Sequence, residues 1–399
     1  MPNVIPEVET FARIKVVGVG GSGKNSINHM INSKVKGVEF IAINTDAQDL
    51  HHSLAKRKIH IGKNLTKGLG TGMNPDLGRR AVEETKEEVQ EALKGADMVF
   101  VAGGLGGGTC SGASPIVART AKELGALTVS VVTKPFFFEG TQRMKVADLA
   151  LEALKKEVDA IIVIPNDRLL SNIDKTTTAR AAFAMCDEVL KQAVEGISDL
   201  ITTPGIINID FADIRTVMES AGPALMGVGI ASGEKRAEEA AKMAINSPLL
   251  DVSIAGARGV LFSIAGGDDL TMFEIQDAAK VITEAIDPNA KVIFGTVRDE
   301  KLKKGDVRIT VIASGFGEPT PRNDQKKSLF TAEAPVEREE RRLFSTPKPV
   351  APVEREEVKP EPHVVEKKHV EPKPHTIPTI EADTDDDWGA VPAFLRRKK

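Results

Sequence analysis

Two glycine-rich loops constrain this chain more than any other feature. The first, Gly18-Val19-Gly20-Gly21-Ser22-Gly23-Lys24-Asn25, follows the apolar run Arg13–Val19. The second runs from Ala102 to Ala113, follows Asp97–Ala102, and has six glycines in the ten residues 103–112. Each reads as strand, glycine loop, then helix, the repeating unit of a mostly parallel α/β sheet with helices on both faces. Glycine leaves the backbone N–H groups at a helix start accessible, which is how a phosphate is held. Gly18, Gly20 and Gly23 satisfy G-x-G-x-x-G. Gly18 with Gly23-Lys24 nearly satisfies a P-loop, but Asn25 stands where Ser or Thr should ligand magnesium. The first loop alone leaves a dinucleotide and a nucleoside triphosphate both open. Two such loops at neighbouring strand ends suit a longer phosphate chain. Thr109 and Ser111 add hydroxyls within reach of phosphate or a metal-bound water.

The remaining periodicity fits the same architecture. Val38–Asn44, Leu127–Thr133 and Ala160–Ile164 read as strands, and Asn25–Ser33 as the helix after the first loop. Asp76–Lys94 reads as one amphipathic helix with Leu77, Ala81, Val89 and Leu93 on one side, and Thr178–Leu200 as a long helix. A smaller α+β unit is expected from about Gly222. Its strands are Gly259–Ala265, Lys291–Val297 and Val307–Ser314, with a helix at Leu270–Ala285.

Composition excludes several classes. A length of 399 residues suffices for two domains. With 53 Lys+Arg against 57 Asp+Glu, the chain lacks the basic excess of a nucleic-acid binder. Its two cysteines, Cys110 and Cys186, are too few for a disulfide framework, so reduced thiols in a cytoplasmic protein are expected. No apolar run approaches the roughly 20 residues of a membrane span. Met1–Thr10 lacks the basic start and apolar stretch of a secretory signal.

After Gly317 the chain changes character. Only one of 34 glycines lies beyond it, against 12 of 22 prolines. Residues 318–383 hold 14 acids and 12 bases and repeat APVEREE at Ala334–Glu340 and Ala351–Glu357. Such a segment cannot bury enough apolar surface to offset its ordering entropy and reads as a disordered, mixed-charge tether. The end differs again. Asp385–Lys399 carries the only Trp, Trp388, with Phe394 and Leu395, between acids and bases. It reads as a short docking peptide.

Three further sets of residues carry candidate chemistry. Glu139 and Arg143, four apart after the Leu127–Thr133 strand, suit either a surface ion pair or contacts to a ribose and phosphate. Phe183 and Asp187 share one face of the long helix. They suit either a core Phe with a capping Asp, or a ring stacked on a base with a carboxylate accepting from guanine. Asp210 and Asp213 flank Phe211 in Asn208-Ile209-Asp210-Phe211-Ala212-Asp213-Ile214. Such acids polarise water or hold magnesium, or they cap a helix.

Taken together, these residues resemble the FtsZ family, the tubulin-related GTPases of bacterial and archaeal cell division. The resemblance covers residues 13–317 and returns at the C-terminal peptide. It rests on GVGGSGKN (18–25), NTDAQ (44–48), KGLGTG (67–72), GGLGGGTCSGA (103–113), KPFFFEG (134–140), PNDRLL (165–170), NIDFADI (208–214) and GARGVL (256–261). It implies a Rossmann-like parallel-sheet GTPase domain, a long central helix, a smaller α+β C-terminal domain and a disordered tail. The implied boundaries are a flexible N-terminus (1–12), a GTP-binding domain (13–177), the central helix (178–202), a catalytic loop with the C-terminal domain (203–317), the linker (318–383) and the docking peptide (384–399).

It also implies the roles of the site residues. Gly20, Gly21, Ser22, Gly23, Lys24 and Asn25 would hold the phosphates of GTP or GDP. So would Gly106, Gly107, Gly108, Thr109, Cys110 and Ser111. Glu139 and Arg143 would contact ribose and nucleotide. Phe183 and Asp187 would hold guanine, beside Asn166 and Asn44. Mg2+ would be held mainly by phosphates and water. Asp210 and Asp213 would complete the site of the next subunit in a head-to-tail homopolymer, so that polymerisation activates hydrolysis. The protein would lie in the cytoplasm at the mid-cell division ring, with no direct membrane insertion and no nucleic-acid partner. Asp385–Lys399 would dock on membrane-tethering proteins such as FtsA.

Two departures stand out. Cys110 replaces a usual glycine, which would strain the loop if that position needs positive φ. The thiol there is a point for oxidation or alkylation if the helix N-terminus lowers its pKa. Lys24 also replaces a usual glycine, and would either attract phosphate or point to solvent. A GTP-binding scaffold with weak hydrolysis is the alternative reading. An NAD-dependent oxidoreductase would leave the second loop and the tail unexplained.

Overall fold

A computed structural model describes residues 12–170, 176–247, 254–299 and 302–316. The linker, the docking peptide and all but Ala12 of the N-terminal segment lie outside the described residues. Among the described residues, ten strands form one sheet in the order β3-β2-β1-β4-β5-β6-β7-β10-β8-β9.

The first part is a chain of parallel strands with helical crossovers. β1 (Ile14–Val19) runs into α1 (Gly20–Asn32), and β2 (Val38–Asn44) into the short α2 (Ala47–His51). Then come β3 (Arg57–His60), α3 (Lys63–Thr66), α4 (Pro75–Glu84) and α5 (Lys86–Leu93). β4 (Met98–Gly104) leads into α6 (Gly108–Glu123), and β5 (Leu127–Lys134) into α7 (Thr141–Lys155) by way of the turn Phe137–Glu139. β6 (Ala160–Pro165) precedes α8 (Asn166–Leu170) and the long α9 (Ala179–Thr202). β1 and β4 are buried along almost their whole length, as strands covered on both faces must be. The expected helix over Asp76–Lys94 is broken. It ends at Thr85, whose φ of −119° is not helical and whose hydroxyl bonds back to Ala81 O.

The second part follows α10 (Phe211–Met218). β7 (Gly222–Ser232), α11 (Arg236–Ile245), β8 (Gly259–Gly266), α12 (Met272–Glu284), β9 (Lys291–Arg298) and β10 (Asp306–Ser314) complete the elements. β10 pairs antiparallel with β7 and β8, while β8 and β9 are parallel. The start of β7 also pairs parallel with β6, through Ala160↔Gly222 to Ile162↔Ala224. The unit expected from about Gly222 thus continues the first sheet. One face of α9 contributes Val189, Leu190, Ala193, Val194 and Ile197 to a core shared with β5, β6, β7 and β10. Among the described residues, no helix is long and apolar enough to cross a membrane.

Candidate nucleotide-binding site

The parallel strands β1, β4, β5 and β6 end at one edge of the sheet, where a cavity of about 390 Å³ opens. The starts of two helices form one end of it. Gly20, Gly21, Ser22 and Asn25 come from α1, and Gly107, Gly108, Thr109 and Cys110 from the start of α6. Neither helix has a side-chain cap or an acid in its first turn. The same holds for α7, whereas α4, α9, α10 and α12 each begin with a capping side chain. The uncapped N–H groups of α1 and α6, with the positive ends of two helix dipoles, form a site for an anion. Glycine is required where the two loops pack. A Cβ on Gly23 would lie 2.6 Å from Ala102 O, and Gly106 has φ +96°.

Hydroxyls fill in behind the glycines. Thr45 and Thr109 Oγ1 lie 2.7 Å apart, and Thr71 Oγ1 lies 3.3 Å from Thr109 Oγ1. Ser111 is turned inward, its Oγ accepting from Gly106 N at 2.9 Å, so it shapes the loop instead of lining the cavity. Gly23, Lys24, Asn44 and Gly106 likewise lie outside the lining.

Lys24 does not point to solvent. It is buried, and its Nζ lies 2.7 Å from Asp49 Oδ1 on α2. Cys110 also differs from expectation. It lies within α6 and has no positive φ, so the strain foreseen for a side chain there does not arise. Burial pushes its thiol up to about 11, the opposite direction from a lowering by the helix N-terminus.

The other end is built on α9 and α8. Phe183, Cys186, Asp187 and Leu190 recur at helical spacing along α9 and face the cavity. Phe183 is half exposed and packs edge-on against Phe136 at 5.4 Å between ring centroids. Burial raises the Asp187 carboxyl above its ordinary range, and Ser26 Oγ, donating at 2.6 Å, opposes that rise. Asn166 is 5% exposed, and its Oδ1 is a buried acceptor with no partner among the described residues. Buried acceptors are almost always satisfied, so this one awaits a donor from whatever fills the cavity. Asp187 and Asn166 thus bring acceptor oxygens to the same end of the cavity as the Phe183 ring, an arrangement that suits a flat ring with adjacent N–H groups.

Glu139 and Arg143 are both cavity-lining and paired, so the two expectations for them are compatible. Glu139 Oε1 also accepts from Phe136 N at 3.0 Å, which holds the β5–α7 turn. Thr71, Gly104, Leu105, Thr133, Pro135, Cys186 and Leu190 also line the cavity and were not foreseen. The spacing 183, 186, 187, 190 on one helix face was the signal available for the last two residues. Thr71 lay within a quoted motif, KGLGTG.

Asp210 and Asp213 are not part of this cavity. Both are exposed, and Asp210 caps α10, its Oδ1 accepting from Asp213 N at 2.7 Å. Among the described residues no group of three or more His, Cys, Asp or Glu is placed to hold a metal.

Comparison with known proteins bears on this arrangement. The model of the Tubulin/FtsZ family GTPase domain matches residues 13–174, and that of the FtsZ family C-terminal domain matches residues 222–317. The solved structure of an empty FtsZ dimer from M. jannaschii is similar at 46% identity and a TM-score of 0.74, over 77% of this chain and 89% of that one. A GTPγS-bound protofilament of CetZ2 from Haloferax volcanii is similar at 22% identity and a TM-score of 0.65, over 75% and 92%. The GDP-bound monomer of CetZ1 from the same organism is similar at 23% and 0.67, over 78% and 96%.

Proposed function

The chain belongs to the FtsZ family of tubulin-related GTPases, and from that premise we propose that the cavity beside α1, α6 and α9 binds GTP and GDP. The observation that carries this reading is the cavity's polarity. Uncapped helix starts gather N–H donors at one end, and Asp187 and Asn166 gather acceptors at the other. Triphosphate meets the donors and guanine meets the acceptors, with Phe183 against the base. Guanine offers N1–H and an exocyclic amine, whereas adenine presents a bare N1 acceptor to the same carboxylate. Glu139 and Arg143 lie along the side and contact ribose and phosphate.

Hydrolysis is completed by a second copy. Asp210 and Asp213 are exposed and outside their own chain's cavity, which fits a head-to-tail filament in which the α10 start of one subunit covers the nucleotide of the next. That interface is heterologous and does not close, so it builds filaments. There the two carboxylates orient and polarise the attacking water. A Mg2+ ion held by the phosphates and water would supply neutralisation of the charge that develops there. The donor set suits a metal carried by phosphates and water. We further propose that these filaments form the cytoplasmic division ring. Asp385–Lys399, outside the described residues, links the ring to membrane-tethering partners such as FtsA. The weak-hydrolysis scaffold is the lesser reading, because the strain that motivated it at Cys110 does not arise.

The test is GTP turnover per subunit against protein concentration with magnesium. A near-zero baseline that rises above a threshold supports the shared site. Turnover that stays constant per subunit at all concentrations overturns it.

A further inference from the structure

The floor beneath the first glycine loop carries an ion pair. Lys24 Nζ lies 2.7 Å from Asp49 Oδ1, and Lys24 is only 7% exposed. The other carboxylate oxygen, Oδ2, accepts from Asn44 Nδ2 at 2.8 Å and lies 3.6 Å from where a Cβ on Gly21 would sit. Asp49 therefore abuts the loop that lines the anion end of the cavity. The network continues across the site. Asn44 Oδ1 accepts from Thr45 N at 2.8 Å, and Thr45 meets Thr109 on the second loop.

A carboxylate beside an anion site is a liability unless its charge is cancelled. The cavity's own cation cannot do this, because Arg143 is paired with Glu139. We propose that Lys24 and Asp49 act as a charge-compensated positioning pair. Asp49 orders Asn44 and, through it, the contact that Thr45 makes with the second glycine loop. Lys24 neutralises Asp49 without touching the phosphates itself. The phosphates then meet backbone N–H groups over a floor of zero net charge.

This inference rests on the guanine-nucleotide reading, and the experiment separates the two. Affinities for GDP, GMP and guanosine are measured by competition on the full-length wild type, Lys24→Met, Asp49→Asn and the double variant, with thermal melts as controls. No binding of GDP by the wild type overturns the nucleotide reading itself. Given binding, K24M leaves one uncancelled negative charge and weakens GDP about tenfold or more. The loss shrinks for GMP, vanishes for guanosine, and fades as salt is raised. D49N leaves a surplus positive charge and binds GDP at least as tightly as wild type. The double variant returns to wild-type affinity. A double variant as weak as K24M means that Lys24 itself reaches the phosphates and overturns the proposal. So does an equal loss for guanosine and GDP, or a fall in melting temperature with unchanged affinities. If K24M fails to fold, the double variant against wild type still decides the matter: equal GDP affinity supports the proposal, and a loss of about tenfold overturns it.

Discussion

Ser26 Oγ donates to Asp187 Oδ1 at 2.6 Å, across 161 residues of sequence. The bond ties α1, which opens at the anion end of the cavity, to α9, which carries its acceptor end. One turn further along α1, His29 Nε2 meets Glu188 at 2.9 Å. The two ends of the cavity are thus positioned by one helix against another.

Ser26→Ala removes a bond that holds the Asp187 carboxylate against the upward push of burial. The carboxyl then titrates at still higher pH. Guanine recognition needs the ionised form, so the acid limb of GDP affinity against pH should move upward. Loss of a hydrogen bond to a charged group predicts roughly tenfold weaker binding near neutrality. Titrating GDP across pH in both proteins checks it, and superimposed profiles would refute it.

Asp210→Asn separates capping from catalysis. Asn caps a helix about as well as Asp, whereas Ala at such a position costs about 1 kcal/mol. The substituted amide oxygen would keep accepting from Asp213 N, but without the charge. D210N should melt within a degree or two of wild type, bind nucleotide normally and lose turnover. D210A should lose turnover and melt lower. Retained turnover in D210N would leave Asp210 a cap and nothing more.

Cys110 and Cys186 are both buried, and burial pushes their thiols up to about 11 and about 12. Native protein at pH 7.5 should resist a disulfide-exchange reagent at both positions, and unfolded protein should react at both. Rapid native labelling of Cys110, located by peptide mapping, would contradict its burial.

Arg236 is buried on α11 and meets Asp269 at 2.7 Å and Glu274 at 2.6 Å. Hydrogen bonds from its guanidinium hold both carboxyls below their ordinary range. Arg236→Met should lower the melting temperature by several degrees. Groups with depressed folded pKa values contribute stability above their unfolded values, near 4, and lose it as pH falls through the folded ones. The gap between variant and wild type should therefore be constant at neutral pH and close in acid. A pH-independent gap would assign the loss to packing alone.

Local chemistry determined much of this protein. The apolar runs before each glycine loop specified β1 and β4, because a strand buried on both faces must be apolar throughout. The glycines specified the loops, because a Cβ at Gly23 or the φ of Gly106 leaves no room for anything else. Helical spacing placed Phe183 and Asp187 on one face of α9, and turn chemistry made Asp210 a cap. Motifs in fixed order sufficed to suggest the family that comparison then showed.

Only the tertiary structure decided what depends on distant partners. Lys24 carried two local expectations, and its pairing with Asp49 on another element holds it away from solvent. The Cys110 thiol responds to the core around it more than to the helix start it occupies, so its pKa rises. The sheet continues from β6 into β7 because Gly222 to Ala224 pair with a strand some 60 residues earlier, which no local pattern encodes. Spacing and turn propensity act over a few residues and survive in the sequence. Charge pairing, burial and strand registry act through space, and they exist only once the chain has folded.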